Sequence, residues 1–153
     1  MLLSQKKEKK TLLIKENIKV NCKTTDKETV IKEIGAMLVN AGYVKEEYVQ
    51  GMLEREDTFA TYMGNGLAIP HGTEQVKKGV LQTGIAVMVF PQGVMWGEEI
   101  AYIVIGIAAV GEEHMDVLEK IATMFCEDDT CGRLLNMDAE GIYDEIMEGD
   151  DLN

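Results

Sequence analysis

Two histidines and one arginine are the side chains of this chain best suited to chemistry. His71 lies between Pro70 and Gly72 in the stretch GLAIPHGT, which begins at Gly66. Proline fixes its own φ and glycine permits a tight turn, so we expect the His71 ring on a stiff turn at a strand end. A neutral imidazole keeps a free nitrogen lone pair near neutral pH. His71 is therefore a candidate nucleophile.

Two further residues would suit a phosphoryl group held on that ring. Arg55 offers a planar, bidentate donor. His114 opens a helix after Gly111, where backbone N–H groups and the helix dipole favour anions. The three residues form one site if the fold brings them together. Each also fits a plain role, as a turn histidine, a solvated histidine in a first helical turn, or an exposed arginine with acidic neighbours.

Several kinds of site are excluded by the residues that are present. Ser4 is the single serine of the chain and lies in its polar N-terminal stretch, which excludes a serine hydrolase. No phosphate-binding GxxxxGK[ST] loop occurs, and GNGLAI at 64–69 fails the GxGxxG pattern at its last position. MDVL follows His114, so the paired histidines of a zinc protease helix are absent. We expect chemistry without a cofactor or a metal.

The cysteines point to a reduced protein. Their number, three, is odd and they include no CxxC pair, which favours neither a disulfide framework nor a zinc finger. We expect Cys126 and Cys131 to be buried thiols.

Composition, charge and the lack of a targeting segment indicate a cytoplasmic protein that does not bind nucleic acid. The 153 residues carry a net charge of −12, which disfavours nucleic acid. We find no secretory signal and no apolar run able to cross a bilayer, so we expect no membrane insertion. Residues 1–10 are predicted to be a flexible, Lys-rich tail, and residues 11–153 a single domain.

The apolar pattern predicts helices and strands that combine into an α/β sheet covered by helices. The first helix should begin at Thr25, with Thr25 and Glu28 as a capping box, and end at Gly42. A second should run over about 45–57. Buried strands are expected at 66–69, 84–90 and 101–108, and helices at 112–125, 130–135 and 139–147.

The region around His71 is poor in acidic residues. Residues 61–95 contain Glu74 as their one acid, although the whole chain has 27. A docking surface would place apolar side chains around His71 and keep carboxylates at its rim. The residues expected to form this apolar ring are Leu67, Ile69, Val94, Met95 and Trp96. Buried strands would produce the same acid-poor pattern.

Four sequence blocks closely resemble one protein family. GLAIPHGT, KKGVLQTGIAVMVFPQGVMWGEE and IGIAAVGEEHMDVLEKIATMF are similar to the mannitol-type enzyme IIA component of the bacterial sugar phosphotransferase system, as is AGYVKEEYVQGMLEREDTFATYMGNG upstream. The similarity extends from about Thr11 to the C-terminus. It implies a single-domain α/β sandwich with a mixed, mainly five-stranded sheet flanked by helices.

The resemblance also implies a phosphoryl relay. His71 corresponds to the histidine that takes a phosphoryl group on Nε2 from the phosphocarrier protein HPr. It passes that group to a cysteine of the enzyme IIB domain, here that of a mannitol permease (IICB). Arg55 and His114 fall where the family has its phosphate-stabilising arginine and its second active-site histidine. Thr73 is a further candidate to support His71.

Two alternatives stay open at this point. The fructose-type and nitrogen-regulatory IIA proteins share the proline–histidine motif, although PHGT and FPQGVMWGEE favour the mannitol type. The second alternative is a metal- or ligand-binding module that uses the two histidines and the cysteines, which a metal analysis of the purified protein would reveal.

Overall fold

The structure is a computed structural model that describes residues 12–72, 79–127 and 129–151, with side chains described as far as 148. The predicted tail at 1–10 lies outside the described residues, and so does Thr73. No helix in the described ranges is long and apolar enough to cross a membrane.

In the part of the chain that the structure describes, five strands form one mixed sheet, as the resemblance implied. They are β1 (Ile18–Lys19), β2 (Tyr62–Gly64), β3 (Leu67–Ala68), β4 (Gly84–Trp96) and β5 (Glu99–Ala108), in the spatial order β1-β4-β5-β3-β2. The antiparallel hairpin of β4 and β5 forms the centre, with β1 parallel to β4 and β3 parallel to β5. The edge strand β2 is antiparallel to β3. The α/β fold class is therefore confirmed.

Within the described ranges, five α-helices cover the two faces of this sheet. They are α1 (Lys27–Asn40), α2 (Glu47–Thr58), α3 (Glu113–Met124), α4 (Thr130–Leu135) and α5 (Ala139–Asp151). One core cluster joins α1 and α2 to one face of the sheet, and a second joins α3, α4 and α5 to the other. Successive residues of a strand point to opposite faces. A sheet covered on both sides therefore explains why β4 and β5 are almost continuously apolar.

The ends of several elements differ from the sequence prediction. The predicted capping box at Thr25 is wrong, because Asp26 caps α1 and its carboxylate accepts a hydrogen bond from Thr29 N at 2.8 Å. Gly42 follows α1 with φ of +83°, as expected for a residue that ends a helix. Strand β4 continues past Phe90 to Trp96. Its register shifts between Val89 and Val94, and the exposed Pro91 lies within that irregular part.

Candidate active site around His71

His71 lies where the backbone leaves the sheet after β3. His71 forms an isolated parallel β-bridge with Ile107, and Ile107 N donates a hydrogen bond to the Pro70 carbonyl at 3.0 Å. On the upstream side, Ile69 N donates to the Thr61 carbonyl at 2.9 Å. His71 is only 8% exposed. The predicted strand end is thus observed, but His71 lies in an isolated bridge to β5 and not in a turn, and it is largely shielded from water.

A backbone contact selects one tautomer of the His71 ring. Nδ1 lies 2.8 Å from the carbonyl oxygen of Ile69. A carbonyl oxygen can only accept a hydrogen bond, so the proton of a neutral ring belongs on Nδ1. The lone pair then belongs to Nε2. In this tautomer the candidate nucleophilic atom is Nε2, which is the atom that the resemblance implied.

His114 lies beside His71. It is in the first turn of α3, and the two ring centroids are 5.1 Å apart with an interplanar angle of 62°, an edge-to-face arrangement. The two histidines are 43 residues apart in the chain, yet the fold places them in contact. A group bound to His71 Nε2 would therefore lie close to a second imidazole at a helix N-terminus.

The turn that presents His114 is fixed by Thr83, just before β4. The Thr83 hydroxyl accepts a hydrogen bond from Val110 N at 2.9 Å and donates to the carboxylate of Glu113. Gly111 has φ of +57°, so a residue without a Cβ suits this turn. The GEEH block therefore supplies the turn, a carboxylate tied to Thr83, and the histidine.

Arg55 lies in the last turn of α2. Its Nη1 donates to the Phe59 carbonyl at 2.9 Å, and its guanidinium carbon lies 5.9 Å from the centroid of the Phe59 ring. The structure thus brings His71 and His114 into ring contact and places Arg55 against Phe59.

Two residues near the site were not singled out by the sequence. Tyr48 is 3% exposed, and its hydroxyl accepts from Gly72 N at 2.9 Å and donates to the Ile107 carbonyl at 2.8 Å. Burial raises the pKa of Tyr48 to about 12, so the hydroxyl stays protonated at neutral pH. Glu56 is 5% exposed. Tyr48, Met52 and Glu56 follow one another at intervals of four residues on the buried side of α2. This helical spacing is the sequence signal that could have indicated that Tyr48 and Glu56 face the core.

Glu56 anchors the end of α2 to the segment that leads to His71. Its carboxylate accepts from Thr61 N at 2.9 Å, Thr61 Oγ1 at 2.6 Å and Trp96 Nε1 at 3.0 Å, and Lys27 Nζ lies 3.6 Å away. A buried carboxylate needs such partners to offset its lost hydration. Because the Thr61 carbonyl in turn receives Ile69 N, this network fixes the backbone two residues before His71.

The predicted apolar ring around His71 is wrong for all five of its members. Leu67, Ile69, Val94 and Trp96 are at most 4% exposed and belong to the two core clusters. Met95 is 53% exposed, but it lies near the far end of β4, roughly 30 Å from the strand position that pairs with Ile107. The acid-poor stretch reflects a sheet buried on both faces.

A different apolar surface borders the site. Val110 is 44% and Met115 66% exposed, and they flank the turn that carries His114. Leu81, two residues before Thr83, is 55% exposed. We call these three residues the His114 rim.

The cysteines and acids show no metal site within the described residues, where no group of three or more histidine, cysteine, aspartate or glutamate side chains could hold an ion. Cys131 is buried, as predicted, and burial raises the pKa of its thiol. Cys126 is exposed, so its predicted burial is wrong. It lies just beyond the C-terminal end of α3, where the chain leaves the core.

Curated relatives resemble this chain over most of their length. The mannitol-specific phosphotransferase enzyme IIA component of Halalkalibacterium halodurans is 46% identical over 129 residues, which cover 84% of this chain and 89% of the relative. The protein of the same name from Bacillus subtilis is 44% identical over 140 residues, covering 88% and 98%.

A solved structure has the same fold. A chain from the complex of enzyme IIAMTL and phosphorylated enzyme IIBMTL of Escherichia coli superposes with a TM-score of 0.82 and 38% sequence identity, covering 87% of this chain and 95% of that chain. The family described as phosphoenolpyruvate-dependent sugar phosphotransferase system, EIIA 2, matches residues 11–148. The resemblance stated from the sequence blocks is thereby confirmed, and the chain belongs to the EIIA 2 family of the phosphoenolpyruvate-dependent sugar phosphotransferase system.

Proposed function

We propose that this protein relays a phosphoryl group in mannitol uptake, accepting it on His71 from phospho-HPr and passing it to a cysteine of the enzyme IIB domain of a mannitol permease. The observation that carries the proposal is the His71 ring, whose Nδ1 is 2.8 Å from the Ile69 carbonyl and whose edge-to-face neighbour is His114. The mannitol-specific names of the relatives and the solved complex with phosphorylated enzyme IIB support the choice of sugar and acceptor.

The two half-reactions follow from the tautomer. In the first, the Nε2 lone pair attacks phosphorus, a P–N bond forms, and the bond from phosphorus to the HPr nitrogen breaks with its electron pair leaving on HPr. In the second, a cysteine thiolate of the IIB domain attacks phosphorus, and the electron pair of the broken P–N bond returns to Nε2. The proton stays on Nδ1 throughout, hydrogen-bonded to the Ile69 carbonyl, so the ring needs no base to become a nucleophile.

Incubation with enzyme I, HPr and phosphoenolpyruvate, followed by mass spectrometry of the intact protein, tests this function. We expect the mass of one added phosphoryl group, lost in acid and retained in base as for a phosphoramidate. Addition of purified mannitol IIB should then discharge the protein faster than a fructose-type IIB does. An unchanged mass, or a linkage stable to acid, would contradict the proposal.

Arg55 is proposed to stabilise the transferring phosphoryl group. It lies seven residues after Tyr48, hence on the same side of α2 and about 10 Å further along the helix axis. Its Nη1 donates a hydrogen bond to the neutral carbonyl oxygen of Phe59. A phosphoryl oxygen is charged and is therefore a stronger acceptor for the same guanidinium.

Arg55→Lys keeps the charge but removes the planar pair of donors. We expect it to slow both half-reactions by about tenfold, because a charge-assisted hydrogen bond of roughly 1.5 kcal/mol is lost. Rapid-quench measurement of each half-reaction checks this, with Arg133→Lys as the control, since Arg133 pairs with Glu145 on the opposite side of the sheet. If the Arg55 variant were as fast as the wild type, only long-range charge would matter.

The His114 rim is proposed as the apolar part of the docking surface. Both partners must cover His71, and a carboxylate placed inside such a contact would be desolvated without a partner. We expect Met115→Asp to raise the phospho-HPr concentration for half-maximal rate by at least about tenfold, equivalent to 1.4 kcal/mol.

Met95→Asp is the matched control for that variant. It introduces the same charge at a methionine of similar exposure, 53% against 66%, but on the distant end of the β4–β5 hairpin. We expect less than a twofold effect. Equal effects of the two substitutions on HPr-dependent kinetics would mean that added charge acts through the whole protein, not through the rim.

A further inference from the structure

The backbone around His71 is held on both sides of the histidine. Before it, Ile69 N is bound to the Thr61 carbonyl, and the Pro70 carbonyl receives Ile107 N. After it, Gly72 N donates to the Tyr48 hydroxyl. The first two bonds join main chain to main chain, whereas the third depends on one side chain from α2.

We propose that Tyr48 is a positioning residue for phosphoryl transfer, whose hydroxyl bridges Gly72 and Ile107 and so keeps the His71 ring in the tautomer that carries its proton on Nδ1. The inference rests on the proposed function and adds to it a residue that acts through the backbone beside His71.

The hydroxyl occupies a definite place in the hydrogen-bond pattern. The segment around His71 runs parallel to β5, and Ile107 N–H donates to the Pro70 carbonyl. If the regular parallel pattern continued by one more hydrogen bond, Gly72 N–H would donate to the Ile107 carbonyl. Tyr48 Oη accepts from that N–H at 2.9 Å and donates to that carbonyl at 2.8 Å. The phenol therefore extends the ladder by one side-chain bridge at the position where β3 leaves the sheet.

Tyrosine is well suited to this bridge. The two contacts need one group that both donates and accepts, and a neutral hydroxyl does so while a phenolate cannot donate. The ring is 3% exposed and belongs to the core cluster of α1 and α2, so packing restricts the hydroxyl to this position. The helix thereby transmits the rigidity of the core to the residue after His71.

Loss of the bridge should alter the ring itself. The Nδ1 contact is made to Ile69, two residues earlier in the chain, so its length depends on the backbone between Ile69 and Gly72. A backbone released at Gly72 would let the ring rotate away from the Ile69 carbonyl for part of the time. The proton would then be shared between Nδ1 and Nε2, and a ring protonated on Nε2 has no lone pair there to attack phosphorus.

The test is Tyr48→Phe, which keeps the ring and removes the hydroxyl. Nitrogen NMR of protein labelled in its histidine rings reports the tautomer without any phosphoryl donor, and single-turnover transfer from phospho-HPr reports the rate. We expect mixed-tautomer shifts for His71 and a rate about fivefold to tenfold lower, the equivalent of one lost hydrogen bond. The tautomer readout stands even if phosphorylation of the wild type were not observed, so the two proposals fail separately.

Tyr43→Phe is the matched control. Tyr43 is also 3% exposed and belongs to the same core cluster, with its ring against Gly84. We expect the nitrogen chemical shifts of His71 and the rate of transfer from phospho-HPr in Tyr43→Phe to match those of the wild type. A Tyr48→Phe protein that melts at a lower temperature but keeps the wild-type tautomer and a rate within twofold would overturn the proposal, since Tyr48 would then be structural only.

Hydrogen exchange of the wild-type protein provides a test that needs no variant. The proposal requires the Gly72 amide to be protected from exchange at a level comparable with the sheet amide of Ile103, which donates to the Gly66 carbonyl. Exchange of Gly72 at the rate of an open turn would overturn it even if Tyr48→Phe did not fold.

Discussion

Replacement of His71 by glutamine is expected to abolish phosphorylation by phospho-HPr. Glutamine has similar reach and can still donate a hydrogen bond, but its amide nitrogen has no available lone pair to attack phosphorus. The chain has one other histidine, His114, and its single serine is Ser4. Intact-protein mass spectrometry after incubation with enzyme I, HPr and phosphoenolpyruvate should therefore detect no added phosphoryl group.

The matched control for this result is His114→Gln. It makes the same exchange on the neighbouring ring, 5.1 Å away between centroids, and should still acquire one phosphoryl group. Circular dichroism would establish that both variants fold. Full phosphorylation of His71→Gln, or a phosphoryl group on His114 in the wild type, would mean that the nucleophile has been assigned to the wrong imidazole.

The longer elements were predictable because their apolar residues repeat with a clear period. The helices around Ile34 and Ile121 and the strands around Val87 and Ile105 each contain several buried residues at regular spacing. Strands β1 and β2 have two and three residues, too few for a period to be recognised. Their positions follow from pairing with β4 and β3, which is a property of the assembled sheet.

The site was predictable in its residue types and less so in its geometry. Pro70 and Gly72 indicate a turn at His71. The protonated nitrogen, however, is set by the Ile69 carbonyl, and the bridge to Gly72 comes from Tyr48, 24 residues earlier. Hydrogen bonds between distant residues leave no periodic pattern in a sequence. The same holds for Glu56, whose partner Trp96 is 40 residues away.

The wrong prediction of an apolar ring has a definite physical cause. Lack of acidic residues indicates that a segment avoids desolvated charge, but the interior of a protein and the centre of a docking surface impose that condition equally. Local composition does not distinguish Leu67 in the core from Met95 on the surface, which lie in the same acid-poor stretch and are 1% and 53% exposed. Only the packing of helices on both faces of the sheet decides between them.

His114→Ala is expected to slow phosphoryl transfer by about 100-fold without preventing it, as for loss of one positioned proton donor. The variant retains the Ile69 contact that keeps the ring proton on Nδ1, and so retains the nucleophile. It loses the imidazole that meets His71 edge to face at the N-terminus of α3, where a donor would face oxygens of the incoming group.

The decisive measurement is a time course of phosphorylation at saturating phospho-HPr, where weaker docking no longer limits the rate. His114→Ala should approach the same final level as the wild type, and His114→Gln, which restores an N–H donor, should recover part of the rate. Met115→Ala is the control, because it shortens a side chain at the adjacent position. Met115 belongs to the proposed docking surface, so at saturating phospho-HPr the rate of this variant should stay within a factor of about two of the wild type.

If His114→Ala folded but never became labelled, His114 would be required for formation of the P–N bond itself. If it matched the wild type, the ring contact at 5.1 Å would contribute only to packing, and stabilisation of the transferring group would fall to Arg55 and the backbone.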